Sequence, residues 1–349
     1  MYTEKPIQTK VLQISDITRG AARIDLAARV LREGGLVAFP TETVYGIGAN
    51  AMDPDAVARI FQAKGRPQDN PLIVHIAELE QLDPLVREAP EPARALARVY
   101  WPGPLTMVLP RSGIVPDIVS AGLDTVAVRM PSLPLARELI RRSGVPVAAP
   151  SANRSGRPSP TTAGHCIADL DGRVEVILDG GPCPVGVEST VISLAGEGPR
   201  LLRPGAVTLA QLEQVLGKVW VDPAVLHHLE DDAKVSSPGM KYKHYAPKAQ
   251  IVLVSGPVDE FAAFMDAHGS EGTYALVFDE DLDKVPPPCL SYGPERDSEA
   301  QARALFAVLR RLDDLGATKV YARTPAKSDV GMAVYNRLVR AAAFTEIVL

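Results

Sequence analysis

The chain has 349 residues, 46% hydrophobic and 23% charged, the balance of an ordinary globular protein and long enough for two domains at roughly 150 residues each. Its 37 basic and 42 acidic residues leave a net charge of -5, which argues against a large nucleic-acid-binding face while leaving room for a local basic pocket. No apolar run follows a basic start and no stretch reaches the ~18 apolar residues of a membrane span, so no membrane contact is expected. The three cysteines, Cys166, Cys183 and Cys289, are odd in number and far apart, which fits a reducing, cytoplasmic setting rather than a disulfide framework.

From about residue 18 to 207 helical and strand patterns alternate. Ala22–Leu31 has apolar residues at helical spacing and stops at Gly34-Gly35. The strand LVAF follows, then the loop PTETVYGIGANAM, then a helix that Asp53-Pro54 should start as N-cap and first-turn proline and that runs through Phe61. Strands are expected at 72–76, 125–130, 145–149, 174–178 and 189–194, and helices around 92–100, 134–142 and 208–216. A linker, 217–248, ends in the Pro/Gly and basic-aromatic string SSPGMKYKHYAP. A second unit, 249–349, reads strand, helix, strand, helix, strand, helix, the pattern of a parallel sheet covered by helices. Within it, Ser298 and Gln301 match a capping box.

Several stretches carry candidate chemistry. Gly46-Ile47-Gly48 lacks the third glycine of a dinucleotide fingerprint, so a tight strand-to-helix turn is the simpler reading. No Walker sequence occurs. Thr41, Glu42, Thr43 and Tyr45 nonetheless crowd a strand end, where open α/β sheets place ligands. In TVAVRM, Arg129 interrupts an apolar strand. Two readings stand: an edge strand with Arg129 in solvent or in a structural ion pair, or a cleft in which its guanidinium grips a carboxylate or phosphate. LIVHI repeats the anomaly with His75, which is either a satisfied core histidine or part of a site. Lys64, Arg66 and Asn70 precede it in a proline-stiffened loop that suits small anions. PSANRSGRPSPTT offers hydroxyls and backbone N–H groups for a phosphate cradle, VGVESTV adds Ser189 and Thr190, and LLRPGA adds Arg203. The six histidines show no metal-binding spacing, and neighbours His165 and Cys166 cannot face each other on a helix.

Taken together, FPTETVYGIGANA, KGRPQDNPLIVHI, WPGPLT, VAVRMP, APSANRSGRPSPTTA and GGPCPVGVESTV resemble the YrdC-like family of threonylcarbamoyl-AMP synthases. SPGMKYKHYAP and AVYNRLVRAA resemble its longer, two-domain form. The resemblance implies a YrdC-like twisted, open, mixed sheet with helices over 18–207, a linker or lid over 217–248, and a smaller Rossmann-like parallel α/β domain over 249–349. It implies synthesis of threonylcarbamoyl-AMP from L-threonine, bicarbonate and ATP with release of pyrophosphate, for modification of tRNA beside the anticodon. The threonine pocket would comprise Thr43, His75, Arg129, the backbone at Ala149, and Ser189. The ATP side would comprise Arg66, Asn70, Thr125, Ser151, Asn153, Ser159, Arg203 and Tyr245, with Lys64 and Arg66 as the catalytic cations. ATP enters as a substrate and magnesium is expected with it, although no carboxylate cage for the metal is visible; no redox cofactor is implied. The product would pass to a tRNA threonylcarbamoyl transferase complex, with at most weak direct tRNA contact. Two other readings are an RNA-binding module and a carbamoyl transferase of the same superfamily, the latter lacking here the zinc-finger and acylphosphatase-like segments it needs.

Overall fold

In the computed structural model, which describes residues 7–227 and 245–349, two sheets account for the strands. The first contains β1 (Lys10–Gln13), β2 (Val37–Phe39), β3 (Gly46–Asn50), β4 (Ile73–His75), β5 (Leu105–Pro110), β6 (Thr125–Arg129), β7 (Val147–Ala148), β8 (Val176–Asp179), β9 (Thr190–Ser193), β10 (Arg200–Arg203) and β11 (Trp220–Val221). Their order is β1-β8-β2-β3-β7-β4-β6-β5-β9-β10-β11. Pairing is mixed: β4 and β6 run parallel, while β7 against β4 and β5 against β6 are antiparallel. Among the described residues the α-helices accompanying this sheet are α1 (Ala21–Arg32), α2 (Pro54–Lys64), α3 (Glu91–Tyr100), α4 (Asp117–Ser120), α5 (Pro134–Ser143), α6 (Ala163–Leu170) and α7 (Leu209–Leu216).

Local signals explain much of this. The Asp53 carboxylate accepts from the N–H groups of Asp55 and Ala56 at the start of α2, and Gly65, with φ +62°, closes the helix in the left-handed region. GIGAN is the main departure. It is not a turn into a helix but strand β3, antiparallel to β2 and β7. The reason is close packing: a Cβ on Gly48 would stand 2.7 Å from Val147 Cγ1 and 2.8 Å from Phe39 Cε1. Glycine here lets strands and side chains approach.

The second sheet is parallel throughout and contains β12 (Gln250–Ser255), β13 (Thr273–Val277), β14 (Cys289–Ser291), β15 (Lys319–Arg323) and β16 (Glu346–Val348), ordered β14-β13-β15-β12-β16. It is accompanied by α8 (Val258–His268), α9 (Ser298–Asp314) and α10 (Asp329–Ala341). The cap of α9 is Asp297, whose side chain accepts from Ala300 N, rather than Ser298. Gln301 turns back to donate to the carbonyls of Pro294 and Glu295, so the expected capping box does not form.

The two units share a seam. Val44 and Val187 pack into the same buried cluster as Phe306, Leu338 and Tyr245. Gly186, with φ +86°, lies against α9, where a Cβ would come within 2.4 Å of Ala302 O and Arg303 Cα. Polar bonds cross as well: Arg310 reaches Asp169 and the Pro158 carbonyl, Asn336 donates to Val225 O, and Arg340 donates to Ala224 O. The expected linker begins with β11 on the first sheet and a short turn at Pro223–Val225; residues 228–244, where most of the expected lid falls, lie outside the described residues. Among the described residues no helix is long and apolar enough to cross a membrane.

Candidate active site

A cleft of about 680 Å³, mouth included, opens beside β4, β6, β7 and the segments entering β9 and leaving β10. β6 is an interior strand, between β4 and β5, so Arg129 is not at an edge. Register places His75 opposite Arg129, which brings the two polar interruptions of the apolar strands to one wall. Thr43, His75, Arg129, Ala149 and Ser189 all line the cleft, as do Arg66, Ser151, Asn153, Arg203 and Tyr245.

At one end, Arg129 is nearly buried and held on several sides. It forms an ion pair with Glu42 (2.6 Å) and donates to Thr43 Oγ1 (2.9 Å) and to the Gly103 carbonyl (3.3 Å). The WPGPLT segment supplies that carbonyl. Gly103 has no room for a side chain, since a Cβ would meet Tyr100 O at 2.3 Å. The edge-strand reading of Arg129 therefore fails, while its ion pair is present and the residue lines the cleft. Ser189 Oγ bonds Thr106 Oγ1 (2.8 Å) and receives Arg203 Nη2 (3.2 Å), while Arg203 Nε donates to the Ser189 carbonyl (3.0 Å). His75 is pulled down to about 3, by burial first and by the neighbouring Arg129 second, so its imidazole is neutral at physiological pH.

At the other end sit Arg66, Ser151, Asn153, Arg203 and Tyr245. Burial pulls Arg66 down to about 10, against the nearby Tyr245 and Asp69, and Arg203 adds to the fall. Arg66 Nη2 donates to the carbonyls of Asn70 and Pro71, which leaves Arg66 Nε and Asn70 Oδ1 buried with no hydrogen-bond partner among the described residues. Such orphans are costly in the free protein and point to a polar ligand. Ser151 Oγ donates to Asn153 Oδ1 (2.6 Å), and Asn153 Nδ2 donates to the carbonyls of Arg154 and Arg157. Tyr245, held at φ +66°, packs its ring at a tilt against Phe306 with centroids 5.5 Å apart, and the next N–H, of Ala246, donates to Gly156 O.

Four expected residues do not form the wall. Thr125 is half-buried at the start of β6, opposite Pro110. Asn70 and Ser159 are buried beside wall residues, the Asn70 carbonyl accepting from Arg66 and Ser159 donating to Glu188. The buried Lys64 amine donates to the carbonyls of Ser151 and Asn153 and so holds up the Ser151–Asn153 loop from beneath. Burial, with Arg66 adding, pulls its amine well below the usual lysine range. Conversely, Arg157 and Glu188 belong to the wall without being named among the expected residues, and Glu42, one of the polar residues of the PTETVYG loop, backs Arg129. Arg157 sits inside the PSANRSGR cluster and Glu188 inside VGVEST, so their position beside chosen residues was the available signal. With Arg66, Arg129, Arg157 and Arg203 around it, the cleft is a cationic site in an acidic chain.

Comparison with known proteins gives this geometry a family. A family model described as "Telomere recombination", for the Sua5/YciO/YrdC group, matches residues 29–205, and one described as "Threonylcarbamoyl-AMP synthase, C-terminal domain" matches 207–343. The threonylcarbamoyl-AMP synthase of Pyrococcus abyssi is 48% identical over 329 residues, 92% of this chain and 94% of its own. That of Bacillus subtilis is 45% identical over 337 residues, 94% of this chain and 95% of its own. A solved structure of P. abyssi Sua5 complexed with L-threonine superposes with a TM-score of 0.89 at 44% identity, covering 98% of this chain and 99% of that one. The chain belongs to the threonylcarbamoyl-AMP synthase family, in its two-domain form.

Proposed function

We propose that this protein joins L-threonine, bicarbonate and ATP into threonylcarbamoyl-AMP and pyrophosphate, as a nucleotidyltransferase that serves tRNA modification. The reading rests on one juxtaposition: a buried Arg129, oriented by Glu42, lines the same cleft as the guanidinium groups of Arg66 and Arg203. A relative solved with L-threonine supports the first half.

Threonine's carboxylate would lie against the Arg129 fork, near Thr43, neutral His75, the Ala149 backbone and Ser189. Contacts to its hydroxyl set selectivity, because a site that hydrogen-bonds a hydroxyl is left with unpaired polar groups when valine enters. The amine attacks the carbon of bicarbonate; a C–N bond forms, water leaves, and a carbamate results. One carbamate oxygen then attacks the α-phosphorus of ATP, the bond from that phosphorus to the bridging oxygen breaks, and pyrophosphate departs with the electron pair. No side chain needs to become a nucleophile. The protein aligns the two reactants and offsets charge on the leaving group through Arg66 and Arg203, with Ser151, Asn153, Ser159 and Tyr245 around the nucleotide and Asn70 and Thr125 at its margin. Lys64, which is not on the wall, would act as a positioning residue through the Ser151–Asn153 loop it supports.

Magnesium has no cage here: among the described residues no three His, Cys, Asp or Glu side chains gather to hold a metal. A metal would come with the triphosphate. The catalytic unit is residues 18–207 and the second unit 249–349, and the product would pass, in the cytoplasm, to the transferase that modifies tRNA. Omission tests this: with ATP, bicarbonate and L-threonine, pyrophosphate release should need all three, and release without threonine or without bicarbonate would refute the reading.

A further inference from the structure

Among the described residues Glu188 is the only acidic side chain on the cleft wall, a poor neighbour for a triphosphate. Its carboxylate is buried and does not stand alone. One oxygen accepts from Ser159 Oγ, and the other accepts from Arg337 Nε at 2.9 Å. Arg337 comes from α10, in the second unit, and is fully buried. Its remaining nitrogens bind the Glu188 carbonyl (3.1 Å) and the Pro204 carbonyl (2.6 Å), on either side of the cleft residues Ser189 and Arg203. Burial alone would raise the Glu188 carboxyl, but Arg337 and Arg203 overcome it and hold the group below the usual range, ionised.

We infer that Arg337 is a positioning residue for ATP: the second unit supplies the charge that neutralises Glu188 and so makes the catalytic cleft able to accept a triphosphate. The inference rests on the functional reading above and gives the second unit a task within it. A buried carboxylate on the wall repels phosphate oxygens strongly at low local dielectric, whereas the same carboxylate paired with a guanidinium presents little net charge. Arg337 also explains why Glu188 is tolerated at all: it fixes Ser159, and with Arg337 it ties the loops before β9 and after β10 together.

The test uses the full-length protein with Arg337→Met, Arg337→Lys, and Arg337→Met combined with Glu188→Gln. ATP affinity and the steady-state KM for ATP are read beside L-threonine binding by calorimetry, which reports whether the cleft is assembled. Arg337→Met should raise the KM for ATP by about tenfold or more while threonine still binds, because an uncompensated charge now faces the nucleotide. Arg337→Lys, which keeps the charge, should fall between the two. Adding Glu188→Gln should recover most of the lost ATP affinity, since it removes the charge that Arg337 offset. A purely structural role predicts the reverse: no recovery in the double variant and loss of threonine binding with ATP binding. That result, or an unchanged KM in Arg337→Met, would overturn the inference alone. A wild-type protein that takes up no ATP would overturn the functional reading as well.

Discussion

Arg129 meets Glu42 at 2.6 Å with both side chains almost fully buried, while its other terminal nitrogen donates to Thr43 Oγ1 at 2.9 Å. A guanidinium is planar and can be tied to a protein carboxylate on one side while offering a fork of N–H groups to a ligand on another; an ammonium has no such fork.

Arg129→Lys keeps the charge for Glu42 but loses the fork. L-Threonine binding by calorimetry should weaken at least tenfold, about 1.4 kcal/mol, with a smaller loss than Arg129→Ala, which strands Glu42 and should cost about 3–5 kcal/mol of stability. An unchanged threonine affinity in the lysine variant would remove Arg129 from the carboxylate site.

His75 makes a prediction about pH. An unfolded histidine titrates near 6.5, and in the fold His75 is pulled down to about 3. Between these values the unfolded chain binds a proton that the folded chain does not. The contribution to stability is therefore complete above about pH 7 and declines as the pH falls, by about 2 kcal/mol at pH 5. Urea unfolding of the wild type and of His75→Gln at pH 8 and pH 5 isolates the effect. The wild type should lose the additional ~2 kcal/mol and the variant should not; parallel losses would show that His75 titrates normally.

Asn70 Oδ1 and Arg66 Nε are buried without hydrogen-bond partners among the described residues. If ATP satisfies them, saturating ATP should stabilise the protein by about 2.7 kcal/mol at a hundred times its dissociation constant. Asn70→Ala should cost the free protein little in hydrogen bonding, because the Oδ1 it removes is unpaired among the described residues, yet shrink the ATP-dependent rise in Tm. Thermal unfolding with and without ATP measures both; an undiminished rise would place Asn70 outside the nucleotide site.

The Lys64 amine serves two backbone carbonyls, those of Ser151 and Asn153. Lys64→Met leaves both without a donor at a cost of about 1–3 kcal/mol each. A lower Tm accompanied by weakened ATP binding is expected. Full ATP binding in a destabilised protein would confine Lys64 to the scaffold.

What could be read in advance follows how local each cause is. Asp53-Pro54 announced α2 because a cap is a contact between residues two and three apart. Arg129 and His75 were visible because each breaks an apolar strand pattern, and the family motifs then joined them to Ser151 and Ser189. GIGAN was hidden, since glycines carry no strand preference and only their approach to Phe39 and Val147 explains them. Glu188 was hidden for a different reason. Its meaning depends on Arg337, 149 residues away in another unit, and no local pattern marks such a pair. The second unit's contribution to the cleft is tertiary throughout.

In the proposed reaction one cleft joins three reactants through a carbamate. Bicarbonate labelled with carbon-13 and threonine labelled with nitrogen-15, supplied with ATP, test it by mass analysis of the nucleotide product. The expected product is an adenylate that carries both labels, formed in step with pyrophosphate. Pyrophosphate released while the adenylate lacks either label would contradict it.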